Sequence, residues 1–214
     1  MPVVRSVNVG MPQEAAWAGL GRTAIDKRPA AGAVPVDVLG LEGDQVGDTK
    51  HHGGADQAVY AYAREDLDHW AGLLGRELRD GQFGENLTTS GIDLNEAEVG
   101  ERWRVGTVEL EVSAVRIPCN DFKQWMGRTG YDNRAWVKRF TVEGRPGPYF
   151  RVLRPGRVAA GDEISVLHRP GHGVTVTTLF RAFTTERHLL PEVARLDALG
   201  EKLRALAEKH AALT

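Results

Sequence analysis

Apolar and polar positions alternate most cleanly over Val108-Glu109-Leu110-Glu111-Val112-Ser113-Ala114, with Val, Leu, Val and Ala on one face and Glu, Glu and Ser on the other. A period of two predicts a strand with one buried and one wet face. Val3 to Val9, Arg22 to Lys27, Pro35 to Leu39, Gln57 to Tyr62 and Ile164 to His168 predict further short strands, bounded by Gly, Pro and Asp. Arg64 to Leu74 has a different period. Leu67, Trp70, Leu73 and Leu74 recur at helical spacing behind an acidic first turn. Phe122 to Met126, preceded by the N-cap types Asn120 and Asp121, predicts a helix, as does Asp132 to Val142, where Trp136 and Phe140 stand four apart. Beyond Arg169-Pro170-Gly171-His172-Gly173 the period is helical over Thr175 to Phe183, Leu189 to Leu199 and Glu201 to His210.

Many short strands without a strand–helix rhythm predict a mainly β fold, a barrel or folded sheet with helical insertions, rather than a doubly wound parallel sheet. Residues 1–170 form the β domain in this reading, and residues 171–214 a C-terminal three-helix appendage. The 25 glycines and 10 prolines support it by supplying many tight turns. With 214 residues, 42% hydrophobic and 26% charged, the chain has enough apolar content for one large core. The appendage is too small to stand alone and needs a packing surface, either the barrel or a second subunit in a homodimer.

Charge narrows the partners. The formal net charge is −2, from 27 basic and 29 acidic residues, so there is no overall field to hold duplex nucleic acid. No apolar run approaches the ~18 residues of a membrane span, and Met1 to Arg5 lacks the pattern of a secretory leader. One cysteine cannot form an internal disulfide, which places the chain in a reducing cytoplasm.

That cysteine, Cys119, follows Pro118 where the alternating strand must stop, and precedes a helix start. A thiol there, next to Arg116, gains from the helix dipole and the guanidinium, while Asp121 opposes it; free cysteines are also commonly inert core residues. Gly40 to Asp56 is a glycine-rich loop carrying Lys50, His51 and His52, whose spacing fits neither a helical His pair nor a zinc ribbon. It reads as a pocket lining. Lys27-Arg28 and the set Arg134, Lys138, Arg139 and Arg145 are local basic clusters, either solvated faces or a grip for one or two phosphates. Gly81 to Asp93 offers Asn86 and Thr88 as hydrogen-bonding groups in a polar hairpin or a heterocycle pocket. No Walker loop, dinucleotide fingerprint or nucleophilic-serine elbow is present.

Taken in order, Lys27-Arg28-Pro29, Gly40-Leu41-Glu42-Gly43-Asp44, Lys50 to Tyr60, Phe83-Gly84-Glu85-Asn86-Leu87, Arg116-Ile117-Pro118-Cys119 and Val137 to Gly147 resemble the MOSC domains (molybdenum cofactor sulfurase C-terminal domains), in particular their YiiM-like branch. Ala30 departs from the valine often found after the first motif. The resemblance implies a MOSC β-barrel that binds the molybdenum cofactor, with Cys119 as thiolate ligand of molybdenum and a catalytic residue. It makes Lys27, Arg28, Arg116, Lys138, Arg139 and Arg145 candidates for the cofactor phosphate. Asn86, Thr88 and His52 would line the pocket, with His52 as proton donor or substrate orienter. The implied reaction is reduction of N-hydroxylated compounds such as hydroxylaminopurines to amines. Electrons must then come from a separate reductase, because the chain has no Rossmann fingerprint or cysteine cluster. Rival readings are a sulfur carrier with a Cys119 persulfide, and pyridoxal phosphate binding, which needs a Schiff-base lysine that the sequence does not single out.

Overall fold

The computed structural model describes residues 1–47 and 53–211. In chain order the elements are β1 (Val3–Val9), β2 (Gln13–Glu14), β3 (Arg22–Thr23), β4 (Arg28–Pro29), β5 (Val34–Asp37), β6 (Gly40–Leu41), β7 (Val59–Ala63), α1 (Arg64–Leu74), β8 (Leu87–Ser90), β9 (Arg102–Val105) and β10 (Val108–Val115). They continue with α2 (Asn120–Arg128), α3 (Trp136–Glu143), β11 (Pro148–Arg154), β12 (Gly156–Val158), β13 (Ile164–His168), α4 (Val176–Thr184), α5 (Leu190–Val193) and α6 (Glu201–Ala211).

Eight strands form one mixed sheet in the order β13-β9-β10-β11-β7-β8-β1-β4, with β5, β6 and β12 in a second sheet and β2 and β3 in a small hairpin. The β7–β8 pair is parallel, crossing over through α1. Among the described residues no continuous ladder closes the large sheet into a barrel. Its margins do meet: Val3 bridges Glu163, and the backbone N–H groups of Val4 and Ile164 donate to Asp162 and Pro2.

The period-two reading of β10 gives the right strand but the wrong outer face. Glu111 and Ser113, expected to be wet, are buried. The C-terminal extension and the turn at residues 55–57 lie over them: Gly200 N–H donates to Ser113 O at 2.7 Å, and Ser113 Oγ donates to Asp56 O at 2.7 Å. Glu111 is compensated by Arg102 at 2.9 Å and Arg151 at 3.3 Å.

Apolar residues of α4 to α6, among them Leu179, Phe180, Leu190 and Ala207, join the same hydrophobic cluster as the strands. The body of the chain therefore supplies the packing surface that the appendage needs. The helix expected over Leu189 to Leu199 is cut short at α5. Arg204 reaches back to accept the role of a cap, donating to the carbonyls of Leu196 at 2.7 Å and Asp197 at 2.9 Å, which stabilises an irregular turn. The helix expected from Asp132 starts at Trp136, after Arg134 folds back on Asp132 and Ala135 adopts φ 49°. Its Trp136 and Phe140 are fully buried as the spacing predicts, packed with Trp70, Phe83 and Phe122.

Candidate functional site

A cavity of about 530 Å³ opens between the β2–β3 hairpin, the 44–47 and 53–58 segments, the 84–86 turn and the start of α2. Arg116 and Cys119 reach it because β10 ends at Val115 and Pro118 forbids continuation of the ladder. Cys119, not Asn120 or Asp121, is the N-cap of α2: its backbone is extended (φ −125°, ψ 172°) and its thiol is half-buried. Asp121 falls inside the first turn and is engaged elsewhere, accepting the Gly19 N–H at 3.1 Å and tying the β2–β3 hairpin to α2.

Opposite stands a buried polar chain. Lys27 pairs with Asp44 Oδ1, and Asp44 Oδ2 accepts from Asn86 Nδ2 at 2.9 Å. The Asn86 carbonyl oxygen receives the Tyr60 N–H at 3.1 Å. Burial lowers the Lys27 pKa below the usual lysine range, against the opposing pull of Asp44. The turn that presents Asn86 is fixed from below by Glu85, which is fully buried and accepts from Gly81 N–H at 2.6 Å, Phe83 N–H at 2.9 Å and Thr88 Oγ1 at 2.9 Å. Burial pushes the Glu85 carboxyl up to about 7. Two glycines let backbone approach the cavity. Gly84 (φ 79°) would set a Cβ 3.1 Å from Ile25, and Gly53 (φ 73°) one 2.8 Å from Val46.

Arg116 is buried yet incompletely satisfied. Its guanidinium lies over the rings of Phe122 (4.8 Å) and Tyr60 (5.3 Å), and Nη1 donates to Tyr149 Oη at 3.4 Å. Among the described residues its Nε, which is shielded from solvent, has no hydrogen-bond partner, and neither does Oε1 of the cavity residue Gln57. Burial opposes the Arg116 charge, but Tyr149, Tyr60 and Cys119 outweigh it and hold the pKa above the ordinary arginine value. A buried, permanently charged guanidinium in the lining of a cavity is suited to an anionic group.

Of the residues expected to form the site, the structure brings Lys27, Asn86, Arg116 and Cys119 to the cavity. Arg28, Thr88, Lys138, Arg139 and Arg145 are not among its lining residues. Arg28 is exposed and pairs with Asp26; Thr88 is buried in β8 between Asn8 and Glu85; Lys138 is exposed on α3. Arg139 donates to Asp132 O at 3.0 Å, and Arg145 is bound to Asp66 at 2.6 Å, anchoring α1. His52 lies outside the described residues, as do Lys50 and His51. Asp44, Gln57, Tyr60 and Tyr149 line the cavity although the sequence did not single them out as site residues. Tyr60 sits in β7, which starts at Val59 rather than at the expected Gln57, and pairing with β11 stacks it on Tyr149 at 4.8 Å.

A thiol at a helix start, a buried arginine and a lysine–aspartate–asparagine chain thus share the lining of one cavity. The MOSC domain family model matches residues 48–165. YflK of Bacillus subtilis is 34% identical over 206 residues, covering 94% of this chain and 91% of that protein. YiiM of Escherichia coli is 30% identical over 150 residues, 69% of this chain and 65% of that protein. A Gibberella moniliformis protein named Reductase is 32% identical over 225 residues, 97% of this chain but 38% of that protein. The solved structure of YiiM from Geobacillus stearothermophilus superposes with a TM-score of 0.81 at 26% identity, covering 98% and 99% of the two chains. The chain belongs to the MOSC domain family. No helix among the described residues is long and apolar enough to cross a membrane.

Proposed function

We propose that the chain binds the molybdenum cofactor in the 530 Å³ cavity and reduces N-hydroxylated compounds, such as hydroxylaminopurines, to amines. The observation that carries this reading is the presence of Cys119 and the buried guanidinium of Arg116 together in the lining of one cavity. A soft thiolate suits molybdenum, and the guanidinium and Lys27 suit a phosphate or an electron-rich pterin edge. Cys119 would be the thiolate that the chain offers to the metal of the bound cofactor. When bound, that cofactor supplies two-electron chemistry. Asn86, held between Asp44 and Tyr60 N–H, orients polar edges in the pocket; His52 is the candidate substrate orienter of the neighbouring loop. The net reaction takes R–NH–OH, two electrons and two protons to R–NH₂ and water. A separate reductase delivers the electrons. We read the large sheet, joined at its margins by the Val3–Glu163 bridge, as the family's barrel.

Hydroxylaminopurine reduction with reduced viologen, wild type against Cys119→Ser, tests the reading. It predicts turnover that the substitution abolishes. A cold-cyanolysable sulfur on metal-free protein would instead favour the sulfur carrier, and a pyridoxal phosphate absorbance the third reading, in which Lys27 would be the cavity lysine among the described residues.

A further inference from the structure

Three tyrosines stand close together on β7 and β11, and their hydroxyl protons have different fates. Tyr60 Oη donates to Pro146 O at 2.7 Å, and Tyr62 Oη donates to Arg145 O at 2.8 Å, so both protons are committed to backbone carbonyls. Tyr149 Oη only accepts, from Arg116 Nη1 at 3.4 Å; among the described residues it donates to nothing. Its ring lines the cavity and is stacked at 4.8 Å on Tyr60, which is buried, so the hydroxyl is held on a rigid platform. A phenol with an uncommitted proton, touched by a buried cation that stabilises the oxygen once the proton leaves, has the make-up of a general acid.

We propose that Tyr149 is the catalytic residue that gives a proton to the substrate nitrogen as the N–O bond breaks. The inference rests on the reductase reading above. In this step the Tyr149 O–H bond breaks and an N–H bond forms. The N–O bond breaks as the substrate takes up two electrons delivered by a reduced electron-transfer protein or viologen. The hydroxyl oxygen leaves as water with a second proton from solvent. Arg116 holds the phenolate until solvent returns its proton.

Tyr149→Phe tests this while keeping the ring stack. In loaded protein the expected result is a fall in kcat of about 100-fold, with KM rising less than tenfold and molybdenum and pterin content unchanged. In cofactor-free protein, adenine, standing for the amine product, should bind several-fold more weakly to the variant by equilibrium titration. The melting temperature of the variant, measured alongside, excludes misfolding as the cause. A variant that turns over within twofold of wild type, or binds adenine equally well, overturns the proposal and leaves the reductase reading intact. A loaded wild type that reduces no N-hydroxylated substrate overturns both.

Discussion

The Asp56 carboxylate joins the glycine loop to the C-terminal helix: one oxygen accepts the Glu201 N–H at 2.7 Å and the other pairs with Arg151 at 2.8 Å. The neighbouring residue, Gln57, lines the cavity, so the cap of α6 and a wall of the site share one short turn. Asp56→Ala removes a helix cap and an ion pair, and should cost about 1–2 kcal/mol of unfolding free energy. Asp56→Asn keeps an acceptor for Glu201 N–H and should retain most of that stability. Urea midpoints of both variants decide; equal losses would show that the cap contributes nothing.

Lys27 is buried and Asp44 half-buried at the cavity wall, and removing Asp44 strands the lysine. Asp44→Ala should destabilise by about 3–5 kcal/mol, because a buried ammonium loses its counter-ion and Asn86 loses its acceptor. Adding Lys27→Met to that variant should recover part of the loss. A double-mutant cycle by chemical denaturation measures the coupling; additive effects would contradict it.

Glu85 gives a pH dependence with a definite sign. Its carboxyl is pushed from 4.5 up to about 7 in the folded chain by burial. Between these values the unfolded chain has lost the proton and the folded chain still holds it, so stability from this group is full below about pH 4.5 and falls as pH rises through 7. The change is on the order of 3 kcal/mol. Glu85→Gln should flatten the slope of the denaturation midpoint over that window, even if the variant is less stable throughout.

Arg116 has a buried Nε without a partner among the described residues, so an apolar side chain of similar length should be tolerated by the fold. Arg116→Met is expected to leave the melting temperature unchanged or higher while lowering cofactor content more than tenfold. Parallel loss of stability and cofactor would assign Arg116 a structural role instead.

The fold was legible where period and punctuation agree. Val3 to Val9 and Ile164 to His168 emerge as strands with the expected bounds, and Arg64 to Leu74 as the expected helix. What failed depended on distant partners: Ser113 is dry because Gly200 and Asp56 bond to it from distant segments, Glu111 is matched by Arg102 and Arg151, and the chain beyond α5 turns where Arg204 binds the carbonyls of Leu196 and Asp197. The site divides the same way. Lys27, Asn86, Arg116 and Cys119 were found from motifs and local turns, and they meet at the cavity. Arg139 and Arg145 read equally well as phosphate grips, but their carbonyl and carboxylate partners at Asp132 and Asp66 occupy them. Tyr149 was missed because its meaning comes from Arg116 and Tyr60, brought together by strand pairing across the sheet.

The most direct measurement is the molybdenum and pterin content of the purified protein, expressed in cells that make the cofactor, for wild type and Cys119→Ser. Close to one molybdenum and one pterin per wild-type chain are expected, with molybdenum lost from the variant without a fall in melting temperature. Equal molybdenum in both proteins, or none in the wild type, would contradict it.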